Sequence, residues 1–153
     1  MRLLIVWVHV LAAVVWVGGM VFLVTVVAPY ARKLPAEQRR DIFEQLGRRF
    51  STIGWGCIAV LLVTGIGNLI ERGLEWSPAF ARALGVKLLL IGIMVLLAAF
   101  HDFVLGPRSA ALAADPARAN EAQAARVRAS WIARINLALA LVVLLLGLRL
   151  SST

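Results

Sequence analysis

Cysteine, histidine and acidic residues are the scarce components of this chain. One cysteine, Cys57, excludes an intrachain disulfide, and with His9 and His101 as the only histidines there is no zinc constellation of the usual Cys/His kind. Asp and Glu number 8 against 16 Lys and Arg, a formal net charge of +8. In a soluble domain that balance would raise nucleic-acid binding. Here most of the cations gather in two connections between long apolar runs, and no nucleic-acid partner is expected. There is no HExxH or CxxC, and TGIGN at Thr64 to Asn68 lacks the helix-opening glycine of a dinucleotide fingerprint. No internal repeat is apparent, and nothing is low in complexity beyond the alanines between Ala110 and Ala125.

What the chain has in abundance is apolar length. The 153 residues are 61% hydrophobic, which suits one domain of a membrane protein rather than a soluble enzyme. Four apolar stretches, about 3–29, 51–70, 84–105 and 131–148, each approach or exceed the about 20 residues a helix needs to cross a bilayer. The expected fold is all-α, a single domain of four transmembrane helices in an up-and-down bundle. The first stretch is longer than the about 7–15 residues of a signal-peptide core and reads as an uncleaved span. Arg32, Lys33, Arg39, Arg40, Arg48 and Arg49 lie in the first long connection and Arg108, Arg118, Arg126 and Arg128 in the last, against Arg2, Arg72, Arg82 and Arg149 on the other side. The positive-inside rule then puts both long loops in the cytoplasm and both termini outside. Trp7, Trp55 and Trp131 suit interfacial belts. Ser77-Pro78 and Asp115-Pro116 read as helix starts, and Gly106-Pro107 as the end of the third helix. The first loop, with Pro35 in a first turn and Ile42, Phe43, Leu46 and Phe50 on one face, reads as a solvated extension of the second span, with a helix lying on the inner leaflet as the alternative.

The polar residues inside these spans are the candidates for function, because an ionisable group in a membrane is costly unless it faces the protein interior. His9 stands in an otherwise uncharged run, with Trp16 and Met20 on nearly the same helix face and Gly18 and Gly19 offering close approach. Lys87, Met94 and His101 recur at intervals of seven on the third span. His9, Thr64, Asn68 and Lys87 come to a similar depth and form a candidate outer cluster. His101, Asp102, Arg134 and Asn136 form an inner one, with Asp102 and Arg134 the natural ion pair. A histidine beside glycines is what haem iron asks of a protein; copper would select His9, Met20, Met94, His101 and Cys57. Counting residues from the outer ends separates His9 and His101 by about 16 Å in depth, so a metal at His101, with Met94, would be a second site.

The segments HVLAAVVWVGG (His9 to Gly19), LLVTG (Leu61 to Gly65) and LGVKLLLIGIMVLLAAFHDFVLGP (Leu84 to Pro107) resemble small membrane proteins of the copper resistance protein D (CopD) family, over about residues 3–108. The spacing of His9, Trp16 and Gly19, with a lysine early in the third span, is also similar to the HemJ family of protoporphyrinogen oxidases. The arginine and histidine of the HemJ pattern near the end of its first helix are missing here. These resemblances imply a bacterial inner-membrane protein, its termini periplasmic by the cation count above, with a redox-active metal, haem b or copper, at His9. Lys87 is implied as second functional residue, and Trp16, Gly19, Thr64 and Asn68 join it as candidate cofactor-binding residues. The implied roles are copper homeostasis or transport, haem-linked electron transfer, oxidation of protoporphyrinogen IX, or a cofactor-free helper subunit. The expected partners are the lipid bilayer and an electron or metal-delivery protein, and a homo-oligomer is compatible with the sequence.

Overall fold

The computed structural model describes residues 2–73 and 76–151. No strand forms among them, and the chain divides into two compact units, Met1–Trp76 and Ser77–Thr153, each a helical hairpin.

In the first unit α1 (Arg2–Phe22) passes through a π-helical turn, Leu23–Val27, into the short α2 (Ala28–Ala31). Pro29 accounts for the wide turn. It has no N–H, and in a regular helix its ring would press on the carbonyl four residues back. Widening the preceding turn lets the Ala28 N–H donate to the Leu23 carbonyl, five residues back, and the helix continues through the proline. After two tight turn bonds, Lys33 to Tyr30 and Leu34 to Ala31, Pro35 becomes the N-cap of α3 (Ala36–Arg72) rather than a residue of its first turn. The 37 residues of α3 reach about 55 Å, against a hydrocarbon core of about 30 Å. The first loop and the second span are therefore one helix, whose charged start carries exposed ion pairs such as Arg48–Glu44 at 2.9 Å. Gly73, at φ 84°, closes α3 in a conformation side chains rarely adopt.

The second unit is built the same way. Ser77 caps α4 (Pro78–Phe100), its hydroxyl accepting from the Phe80 N–H at 3.2 Å. A π-helical turn, His101–Leu105, leads into α5 (Gly106–Ala113). Gly106-Pro107 thus does not end the third helix: the Gly106 N–H donates to the His101 carbonyl, the same adjustment that accommodates Pro29. Asp115 accepts from the Ala117 N–H at 2.9 Å, a single 3₁₀ turn (Pro116–Arg118) follows, and α6 (Ala119–Ser151) runs from the alanine-rich stretch through the fourth span without a break.

All four rods are long and apolar enough to cross a membrane. Inside the first hairpin Ala12, Trp16 and Met20 of α1 and Gly54 and Ile58 of α3 are buried. In the second, Met94 is fully buried, Asn136 and Ala140 of α6 are buried, and Leu112 packs with Ala122 and Ala125 near the hairpin turn. Large apolar side chains such as Leu3, Val14, Val63, Leu89, Leu96 and Leu145 point outward. A helix apolar on its outside is what a hydrocarbon solvent selects.

Candidate functional site

The first hairpin brings His9 of α1 to Thr64 of α3, with His9 Nδ1 2.8 Å from Thr64 Oγ1. The direction of this bond follows from counting protons. Thr64 has one hydroxyl hydrogen, and at 2.6 Å from the Val60 carbonyl it is committed there, one turn back on its own helix. The His9–Thr64 bond must therefore carry a hydrogen from the ring: Nδ1–H donates and Oγ1 accepts. The neutral imidazole is held as the Nδ1–H tautomer, which leaves the basic lone pair on Nε2. Setting the far nitrogen in this way orients a ligating histidine and raises its basicity.

Two glycines let α1 approach at this level. A Cβ on Gly65 would lie 3.6 Å from His9 Cε1, and one on Gly67 would lie 3.4 Å from Ile5 Cγ2. The TGIGN stretch carries no nucleotide signal, yet it is the surface against which the histidine-bearing face docks. Gly65 and Gly67 were missing from the sequence candidates, and the spacing of two small residues in a span was the signal that could have found them. Asn68, one turn beyond Thr64, has a buried side-chain oxygen, Oδ1, with no hydrogen-bond partner among the described residues. A buried acceptor left unmatched in this way is costly unless something else donates to it.

Other sequence candidates fall elsewhere. Trp16 packs on Gly54, at 3.4 Å from the position of a Cβ there, and the space over Gly19 is filled by the Phe50 ring. Both contacts lie within the first hairpin. Gly18 by contrast faces open space. Lys87 lies in the second unit, where a Cβ on Gly147 of α6 would be 3.4 Å from its Nζ. His101 and Asp102 sit in the π-helical turn, His101 Nδ1 2.9 Å from Asp102 Oδ1, while the Arg134 guanidinium lies 5.2 Å from the centre of the Trp131 ring. Among the described residues no group of three His, Cys, Asp or Glu is placed to hold a metal ion. A cleft of about 410 Å³, lined among others by Phe22, Tyr30, Ile42 and Arg49, lies thirteen or more residues from His9 along α1, about 20 Å at the helical rise.

The family model described as copper resistance protein D matches residues 44–150, which includes Thr64, Gly65, Asn68, Lys87 and the last helix but not His9. The matched region thus reaches further toward the C-terminus than the resemblance over about 3–108. An uncharacterized protein of Aquifex aeolicus (strain VF5) is 35% identical over 153 residues, covering 98% of this chain and 95% of its own length. No solved structure matches the chain. With its four membrane-crossing helices and this match over most of its length, the chain belongs to the copper resistance protein D family of membrane proteins.

Proposed function

We propose that this protein is a bacterial inner-membrane redox-metal protein in which His9, set by Thr64, gives one imidazole ligand to haem b, serving copper homeostasis or haem-linked electron transfer. The observation that carries the reading is the 2.8 Å contact of His9 Nδ1 with Thr64 Oγ1, whose own hydrogen points to the Val60 carbonyl, an arrangement that supports Nδ1–H and ligation through Nε2. The donor set favours haem over a resident copper ion. Copper asks the protein for several soft or imidazole donors converging on one point, and Met20 is eleven residues from His9, about 16 Å along the helix. A porphyrin brings four nitrogens of its own and needs from the protein only an axial side chain and small neighbours. His9 beside Gly65 supports that reading. Haem, when bound, supplies one-electron transfer. His9 would hold and orient it, Thr64 would keep the ring from turning, and Asn68, through its amide N–H groups, is the candidate for the ligand's polar edge. Lys87, within the second hairpin, is by itself the candidate for a neutral amine ligand or a partner for a propionate. On this reading copper is the cargo of the homeostasis or transport role, and a resident copper at His9 is the alternative.

An absorption spectrum of the purified protein, with metal analysis of the same sample, tests the reading. A Soret band in the wild type that is lost in His9→Ala is expected. A wild type without a Soret band but with stoichiometric copper would move His9 to copper binding, and a Soret band unchanged in His9→Ala would sink the ligand assignment.

A further inference from the structure

The two hairpins, each taken by itself, follow one plan. A constant shift of 78 positions carries the first rod onto the third: Leu23–Val27 onto His101–Leu105, Phe22 onto Phe100, and Pro29 onto Pro107. The same shift carries the buried Trp16 onto the buried Met94 and the buried Val27 onto the buried Leu105. For the second rod of each hairpin the shift is 82. It carries the buried Gly54 onto the buried Asn136 and the buried Ile58 onto the buried Ala140. The difference of four has a visible place: α5 runs to Ala113, whereas α2 stops at Ala31, which the shift of 78 would set at Ser109. The second copy has gained one helical turn at the hairpin tip.

Under these two shifts His9 falls on Lys87 and Gly65 falls on Gly147. The contacts follow. His9 lies over Gly65, with its ring 3.6 Å from the position of a Cβ, and Lys87 lies over Gly147, with its amine at 3.4 Å. In each hairpin a nitrogen-bearing side chain at the mapped position of the first rod reaches across to a glycine on the second rod. Two unrelated hairpins would not be expected to repeat a proline-linked π turn, four buried pairs and a polar side chain over a glycine under one shift for each rod.

We propose that the chain is a tandem repeat of one two-helix unit and that Lys87 occupies the second unit's version of the His9 position, a second ligand position of the same build. The donor has changed from imidazole to amine, and Thr64 has become Leu146, so the hydroxyl that fixes the imidazole tautomer is absent where no imidazole needs it. Among the described residues no carboxylate forms an ion pair with Lys87. The second position therefore presents a ligand with a nitrogen over a glycine, as the first does, with an amine in place of the imidazole.

The test uses the full chain in two arms. In the first, bound haem b is read by its Soret band in the wild type, His9→Lys, and the double variant His9→Lys/Lys87→His. This arm rests on the haem reading above. If the two positions are equivalent, the single variant loses the band and the double variant regains an imidazole-ligated band. A double variant with wild-type helix content and melting that still behaves like His9→Lys overturns the proposal. The second arm is independent of any ligand, so a wild type that binds no haem would defeat the proposed function and leave the repeat open to decision. In a Cys57→Ala background, His9→Cys/Gly65→Cys and Lys87→Cys/Gly147→Cys are treated in membranes with a short bifunctional thiol reagent. Both pairs must cross-link, and pairs moved one turn, to Leu61→Cys and Val143→Cys, must do so less. Failure of either mapped pair, or better cross-linking in the shifted one, overturns the common register.

Discussion

Replacing Thr64 by valine exchanges a hydroxyl for a methyl and removes its hydrogen bonds while keeping the shape of the side chain. Two bonds end on that oxygen: the one from His9 Nδ1–H at 2.8 Å and the one it donates to the Val60 carbonyl at 2.6 Å. Loss of the second costs little, because the Val60 carbonyl keeps its place in the helix ladder. Loss of the first leaves a half-buried ring N–H in a membrane without its acceptor, a penalty of about 1–3 kcal/mol in a water-soluble protein. In membranes the measured coupling of such interhelical bonds is smaller, about 0.6 kcal/mol on average and up to about 1.7. The short, well-committed geometry here points to about 1 kcal/mol, about a fivefold change in an equilibrium constant. The assay is a double-mutant cycle with His9→Ala, Thr64→Val and the pair, read as reversible unfolding in mixed micelles by circular dichroism. Thr64→Ser, which retains the oxygen, is expected to lie close to the wild type. Ligand affinity should move more than stability, since removing the partner of a ligating histidine typically costs about 10–100-fold. Additive effects of the two single variants, or a serine variant as impaired as the valine one, would refute the proton assignment and with it the basic Nε2.

Orientation is checked by reporters active only outside the cytoplasm: a fusion after Thr153 should be active and one near Ala113 silent, and the reverse would invert the topology drawn from the loop cations. Gly19→Ala should destabilise the first hairpin by about 1–3 kcal/mol through overlap with the Phe50 ring. Adding Phe50→Ala should recover part of that loss in a thermal melt; no recovery would show that the ring is not what fills the space. Gly65→Leu would drive a branched side chain into the His9 ring, so ligand binding should fall at least as far as in Thr64→Val, whereas Gly65→Ala, in ordinary contact range, should bind nearly as well as wild type. Met94→Ala should cost about 2–5 kcal/mol in a melt, as deletion of a fully buried core side chain does, and a cost below about 1 kcal/mol would contradict its burial.

Much of the fold was legible in the residues because it depends on periodicity and length. Four apolar runs of bilayer length permit little besides four spanning helices, and Ser77-Pro78 and Asp115-Pro116 mark helix starts by chemistry that acts within one turn. Gly106-Pro107 misled for a physical reason. Proline ends a regular helix, but a chain held in a membrane gains by keeping its backbone bonded, and one wide turn satisfies the ladder at lower cost than breaking it. The repeat was hidden because the two halves preserve positions more than identities, Trp16 against Met94 or His9 against Lys87, and because one extra turn changes the shift between their first and second rods.

By itself the sequence determined the membrane character, the number of spans, the placement of the cations and the presence of His9 in an apolar run. All of these follow from composition along a single line. Only tertiary structure decided which groups meet: Thr64 rather than a methionine or cysteine beside His9, Trp16 on Gly54, Phe50 over Gly19, and Lys87 over Gly147. The reason is rotational. A span's length and depth can be counted from residues, but the face it turns toward its partner is set by which small residues let the helices close up, and that pairing joins residues about 30 to 60 positions apart.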